Sequence, residues 1–317
     1  MDEENETSTE EISSEPNSVR FILLLIIEIL SMMCTILLLI YLVFHWQMLV
    51  KRALRNHVLF VLVLISFLYL TMDLPFTINS YRLGHDQPRN LSFCLWWYLL
   101  DYVLTVASIF LTAMACVQRH ILIFHAQWLY SSRVRCFAHF LPILICISYP
   151  MIFYFAMIVL YPCDRSEVED SLYCLEPCYG ENFLLFNLDW IFNTACPLLT
   201  IILANFALII RVIRSMRKIR RRQSLTWKRQ RKLALQLLAL SNLYVLGWAP
   251  STILSILQSF ARPTLLEDIP QLDYFNFLTY FVCPLQSFIC LLGLPELIKS
   301  VKGVRRRFVI VPIRAMI

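Results

Sequence analysis

Residues 94–120, CLWWYLLDYVLTVASIFLTAMACVQRH, form an apolar stretch with a Cys at one end, an Asp about two turns in and an Arg near the other end. Asp101, Thr105, Ser108 and Thr112 recur at i, i+4, i+7 and i+11, so they share one helix face. Arg119 follows Asp101 by 18 residues, five whole turns, and falls on that same face. At ~1.5 Å per residue the two charges stand roughly 27 Å apart, close to the hydrocarbon thickness of a bilayer. An ionisable group at membrane depth is costly, and it normally faces the protein interior and serves a function there.

Around this stretch the rest of the chain is similarly apolar. Of its 317 residues, 59% are hydrophobic and 16% charged, less charge than a soluble domain carries. Apolar runs recur at 21–45, 57–80, 94–124, 136–161, 183–213, 233–260 and 270–293, each long enough to span a bilayer as a helix. They are continuous rather than alternating, which favours helices over a β-barrel. Residues 1–18 are acidic and lack a basic leader region, so they read as a disordered tail rather than a signal peptide.

Charge asymmetry sets the orientation. With the N-terminus outside, 23 of the 28 Lys and Arg residues fall on the inner side, eleven of them between Arg211 and Lys232. The net charge of +6 is then a property of the cytoplasmic face, suited to anionic lipid and not to nucleic acid. The chain is thus expected to be an all-α membrane protein. It comprises an acidic extracellular tail (1–20), a seven-transmembrane helix bundle (21–293), and a short cytoplasmic amphipathic eighth helix with a basic tail (294–317).

Seven of the eleven cysteines lie in or beside apolar runs. The other four, Cys94, Cys163, Cys174 and Cys178, fall on the outer side, where disulfides persist. Cys94–Cys178 with Cys163–Cys174 is favoured; Cys94–Cys174 is the alternative, and sequence alone leaves the connectivity open. Asn5 and Asn90 head glycosylation sequons on the predicted outer side.

Cys94, Asp101, Ala107-Ser108-Ile109 and Gln118-Arg119-His120 stand at the spacing of the third helix of rhodopsin-like (class A) G-protein-coupled receptors. Gly247-Trp248-Ala249-Pro250 resembles that family's Cys-Trp-x-Pro switch, and Pro197 resembles the proline of its fifth helix. The whole chain from about 20 to 305 resembles a divergent orphan member. The resemblance implies a core trio of Ile109, Pro197 and Tyr244, a switch at Trp248 and Pro250, and G-protein coupling through Arg119 flanked by Gln118 and His120. There are departures too. Gln118 and His120 replace an acid and a Tyr, so the usual ionic restraint on Arg119 is missing, which predicts higher basal signalling. The family's sodium-binding Asp falls at Ser66. Cys283-Pro284-Leu285-Gln286-Ser287 stands near the family's Asn-Pro-x-x-Tyr without matching it, and the register of the seventh helix stays open.

In amine receptors of this family the acid at the Asp101 position pairs with a ligand ammonium. A carboxylate at reduced dielectric attracts a cation more strongly than in water. Asp73 and Asp189 also point toward the outer half by spacing, so three acids are expected to converge on one cavity, with Asn193, Trp248, Asn276 and Tyr280 completing its wall. The bland reading of each acid is a structural hydrogen bond. A small basic peptide is the favoured ligand, since the outer loop around 164–181 is strongly acidic and a Cys-stapled hairpin suits a wide pocket; an amine comes second. The partners are then that ligand, a heterotrimeric G protein and inner-leaflet lipid at the plasma membrane, with no cofactor. The chain contains no metal-ligand cluster, nucleophile elbow or Gly-rich phosphate loop, which argues against an enzyme. No Lys lies in the seventh run, which excludes a retinal Schiff base. A transporter, or a non-coupling seven-helix binding protein, is the remaining alternative; no internal repeat supports the former.

Overall fold

A computed structural model of the chain describes residues 3–49, 54–88, 90–124, 136–162, 174, 177–218, 224–260 and 270–292. Seven helical spans are long and apolar enough to cross a membrane: Asn17–Phe44, His57–Leu83, Leu91–Ile121, Cys136–Leu160, Phe183–Arg211, Leu235–Phe260 and Asp273–Leu292. No strand occurs among the described residues. The expected eighth helix, 295–308, lies outside them.

The third span is the axis of the bundle, 67% buried against 28% for the first and fourth. It packs on the second, fourth, fifth and sixth spans, while the first lies against the second and seventh. Its buried face is the one its periodicity marks. Thr105, Ser108, Thr112 and Arg119 are 8%, 1%, 0% and 8% exposed. On the first span, Ile22, Ile26, Ile29, Met33, Leu37 and Ile40 form the opposite kind of stripe, exposed to the surroundings at helical spacing. The helix of the first span also runs back to Glu3, so the acidic segment expected to be disordered is helical. Glutamate is a good helix former, and acids near a helix N-terminus complement its dipole. The described parts of the basic run, 211–218 and 224–232, extend two helices, Cys196–Lys218 and Ser224–Phe260.

Prolines accompany irregular turns in the second, fifth and seventh spans. The second span divides at Asp73 into Leu54–Met72 and Leu74–Leu83. Pro75 has no N–H for the Thr71 carbonyl, and the Thr71 hydroxyl turns back to the Phe67 and Leu68 carbonyls at 2.8 and 3.2 Å. The fifth span carries a wide π turn, Asp189–Ala195, just before Pro197, which leaves the Asn193 carbonyl without its helical donor. The seventh span divides into Pro270–Thr279 and Val282–Leu292, ahead of Pro284. Where the sixth and seventh spans meet, Gly247 permits the contact: a Cβ there would stand 2.2 Å from Val282 Cγ2.

Candidate functional site

At the end of the bundle that the charge count assigns to the outside, a cavity of about 280 Å³ opens between the second, third and seventh spans. Asp73, Asp86, Asp101, Trp97, Tyr98 and Tyr280 line it, with Thr77, Ser80, Tyr81, Gly84, Asn17 and Cys174. No Lys, Arg or His is among these lining residues. Asp73, at the break in the second span, is 1% exposed. Its Oδ1 accepts from Trp97 Nε1 at 2.7 Å. Its Oδ2 is buried with no hydrogen-bond partner within normal distance and angle among the described residues, and the Tyr69 hydroxyl interacts with the carboxylate. Asp101 lies close enough to Asp73 for the two carboxylates to repel one another. Asp101 itself receives one long bond, 3.4 Å, from Thr105 Oγ1.

Asp101, Asp73 and Tyr280 are therefore brought together, but Asp189 is not. Both Asp189 oxygens are engaged in a knot between the fourth and fifth spans. Tyr154 and Tyr179 donate to them at 2.6 and 2.8 Å, and Asn193 Nδ2 at 2.6 Å. Asn193 in turn accepts from Tyr149 at 2.9 Å. The expected convergence of three acids from the second, third and fifth spans is corrected on this point. Counting back from Pro197 at 3.6 residues per turn fails because the π turn adds a residue and rotates Asp189 toward the fourth span. Burial pushes the Tyr179 phenol well above its ordinary value, with the neighbouring Tyr102 and Asp189 adding to the effect, so it stays a donor at physiological pH. Asn276 accepts from the Ser251 hydroxyl at the contact of the sixth and seventh spans, and Trp248 packs half-buried against the core; neither lines the cavity.

The third acid of the cavity is Asp86, in the loop after the second span. It is 7% exposed and accepts from the Ser80 hydroxyl and, at 2.8 Å, from the Cys174 N–H. Nothing in the sequence separates it from a solvated loop acid. Trp97 did carry a signal, since it lies four residues before Asp101 on the same face. Cys94 is bonded to Cys174, with Cα atoms 5.5 Å apart, which corrects the favoured Cys94–Cys178 pairing. Asp86 from one side and the Tyr98 hydroxyl, 2.9 Å from the Cys174 carbonyl, from the other hold Cys174 over the third span. Cys178 instead opens the short turn Cys178–Glu181, whose Tyr179 is drawn to Asp189. Cys178 is disulfide-bonded as well, and Cys163 lies outside the described residues. Asn90 caps the third span, its Oδ1 accepting from Phe93 N at 2.7 Å. Asn5 lies in the first helix.

Beneath the cavity Ile109 and Tyr244 are both fully buried, and Pro197 lies below the π turn. The Tyr244 hydroxyl donates to Gln286 Oε1. Gln286 Nε2 donates to the Leu62 carbonyl at 2.9 Å and to Ser66 Oγ at 2.7 Å. A neutral amide thus ties the second, sixth and seventh spans where the resemblance has an acid. At the opposite end, Arg119 and Gln118 are buried. Gln118 Oε1 accepts from His139 Nδ1 at 3.1 Å, and His139 Nε2 meets His57 Nδ1 at 2.9 Å. Since Gln118 Oε1 only accepts, His139 carries its proton on Nδ1 and His57 donates to it. His120 Nε2 lies 2.7 Å from the Ala204 carbonyl, joining the third span to the fifth.

A family model described as 7 transmembrane receptor (rhodopsin family) matches residues 37–289. No curated protein matches the chain.

Proposed function

Because the chain belongs to the rhodopsin family of seven-transmembrane, G-protein-coupled receptors, we propose that it senses a cationic ligand through the Asp73–Asp101 cavity. It is a multi-pass membrane protein. In our reading it sits in the plasma membrane with its N-terminus outside. Binding shifts a pre-existing equilibrium toward a state in which the sixth span swings outward and Arg119 meets the G protein. A small basic peptide is the favoured ligand and an amine the second. A cavity of about 280 Å³ accepts one cationic group, which suits either a small amine or a single side chain or terminus of a peptide. Disulfide-linked Cys174 forms part of the cavity wall, so the rest of a peptide would rest against the outer loops. The basic stretch from Arg211 to Lys232 would meet anionic lipid of the inner leaflet.

One observation carries this reading. Three carboxylates line a cavity that has no basic side chain in its wall among the described residues, and one of their oxygens is buried without a donor among them. A cation supplies the missing donors and relieves the repulsion. The test is a screen of amines and basic peptides on expressing cells with a second-messenger readout. Asp101→Asn is expected to abolish the response to a cationic agonist at unchanged surface expression. An unchanged dose-response curve would remove Asp101 from the site.

A further inference from the structure

The three cavity carboxylates differ in what they still need. Asp86 has both oxygens engaged, by Ser80 and by the Cys174 N–H. Asp73 has one oxygen held by Trp97 and one buried without a partner among the described residues. Asp101 has a single long bond from Thr105. Asp73 and Asp101, on adjacent spans, thus line one small space with acceptor capacity left unfilled, and the two carboxylates repel each other. Among the described residues, Arg20 beside the lining residue Tyr81 already has an anionic partner. It pairs with Asp273 at 2.7 Å and lies over the rings of Tyr81, Tyr274 and Phe277.

The shape of the demand distinguishes between cations. An ammonium offers three donors from one point, and its compact charge is strongly hydrated. A guanidinium offers five donors in a fixed plane, so it can meet one carboxylate along one edge and a second along another. It is also more weakly hydrated and stacks on aromatic faces. The cavity wall carries such rings in Trp97, Tyr98 and Tyr280, with the Trp97 and Tyr98 rings nearly parallel at 23°.

We infer that the group this cavity recognises is a guanidinium that bridges Asp73 and Asp101, with Trp97 both positioning Asp73 and walling the plane of the ligand. The inference rests on the proposed reading of this cavity as the ligand site. Its chemistry is shared by an arginine side chain in a peptide and by a small free guanidine, and the probes below separate the two.

The experiment uses the purified full-length receptor in detergent and follows its thermal unfolding with N-acetyl-arginine methylamide, N-acetyl-lysine methylamide, n-butylguanidine and n-butylamine. The arginine probe is expected to bind at least about tenfold tighter than the lysine probe, the equivalent of about 1.4 kcal/mol. If butylguanidine matches the arginine probe, the guanidinium alone is read; if the arginine probe is better, peptide backbone is read as well, and both results support the bridge. Asp73→Asn keeps an oxygen for Trp97, yet should bring the arginine probe down to the lysine level, each shift being read against the variant's own unliganded melting temperature. Equal binding of arginine and lysine probes, both lost in Asp101→Asn, would leave a cation site and overturn the guanidinium bridge. No stabilisation by any of the four probes at millimolar concentration would overturn the cationic reading of the cavity itself.

Discussion

Tyr244→Phe tests what holds the sixth span against its neighbours. Tyr244 is fully buried, and its hydroxyl donates to Gln286 Oε1. Gln286 spends both amide hydrogens on the second span, at 2.9 and 2.7 Å, which holds the amide in place. Removing the hydroxyl leaves that oxygen buried and unpaired, at a cost of about 1–3 kcal/mol. If outward motion of the sixth span breaks this bond, the cost falls on the inactive state alone. The active-to-inactive ratio then rises about 5- to 150-fold. A receptor active about 1% of the time at rest would become active about 5–60% of the time. Basal second-messenger output per surface receptor reads this directly, and the melting temperature of the purified protein should fall with it. Gln286→Leu introduced into Tyr244→Phe should add less basal output than it does alone, because the two residues share one bond. A lower melting temperature with unchanged basal output would refute the reasoning, since the bond would then persist in both states. Strict additivity of the two substitutions would do the same.

Two further outcomes follow from the packing. Gln118→Glu places a carboxylate next to Arg119 while keeping an acceptor for His139 Nδ1, 3.1 Å from the present amide oxygen; basal signalling should fall, and no change would sink the argument that a missing acid loosens the resting state. Gly247→Ala drives a methyl to within 2.2 Å of Val282 Cγ2, in a residue 2% exposed, so the sixth and seventh spans must separate. Overpacking of this kind costs about 1–3 kcal/mol, and the variant should melt lower and signal more at rest; wild-type values in both assays would show that the contact yields without moving the spans.

How far the sequence reaches is clearest in the third and fifth spans. The third is one unbroken helix of 34 residues. Counting at 3.6 per turn therefore puts Thr105, Ser108, Thr112 and Arg119 on the buried face, and Asp101 into the cavity. The same count fails in the fifth span. Pro197 leaves a carbonyl without its donor, the backbone widens into a π turn, and Asp189 rotates away from the cavity toward Tyr154 and Tyr179. Asp73 was legible as an acid in an apolar run, seven residues after Ser66 on one helix face, and both are buried. Asp86 was not legible at all, because its burial depends on the Cys174 backbone, 88 residues away in the chain.

The number of spans and the polar face of the third span follow from hydropathy and period, which are local properties of the chain in a bilayer. The disulfide partner of Cys94, the pairing of Asp86 with the outer loop, and the Gln286 bridge to residues more than 200 positions earlier were decided by folding alone. Each of these is a contact between distant segments of the chain. A single sequence carries no record of which distant backbone will come to lie beside a buried polar group. Only the packed bundle, in which such a group must find a donor or bear the cost of its absence, selects the partner.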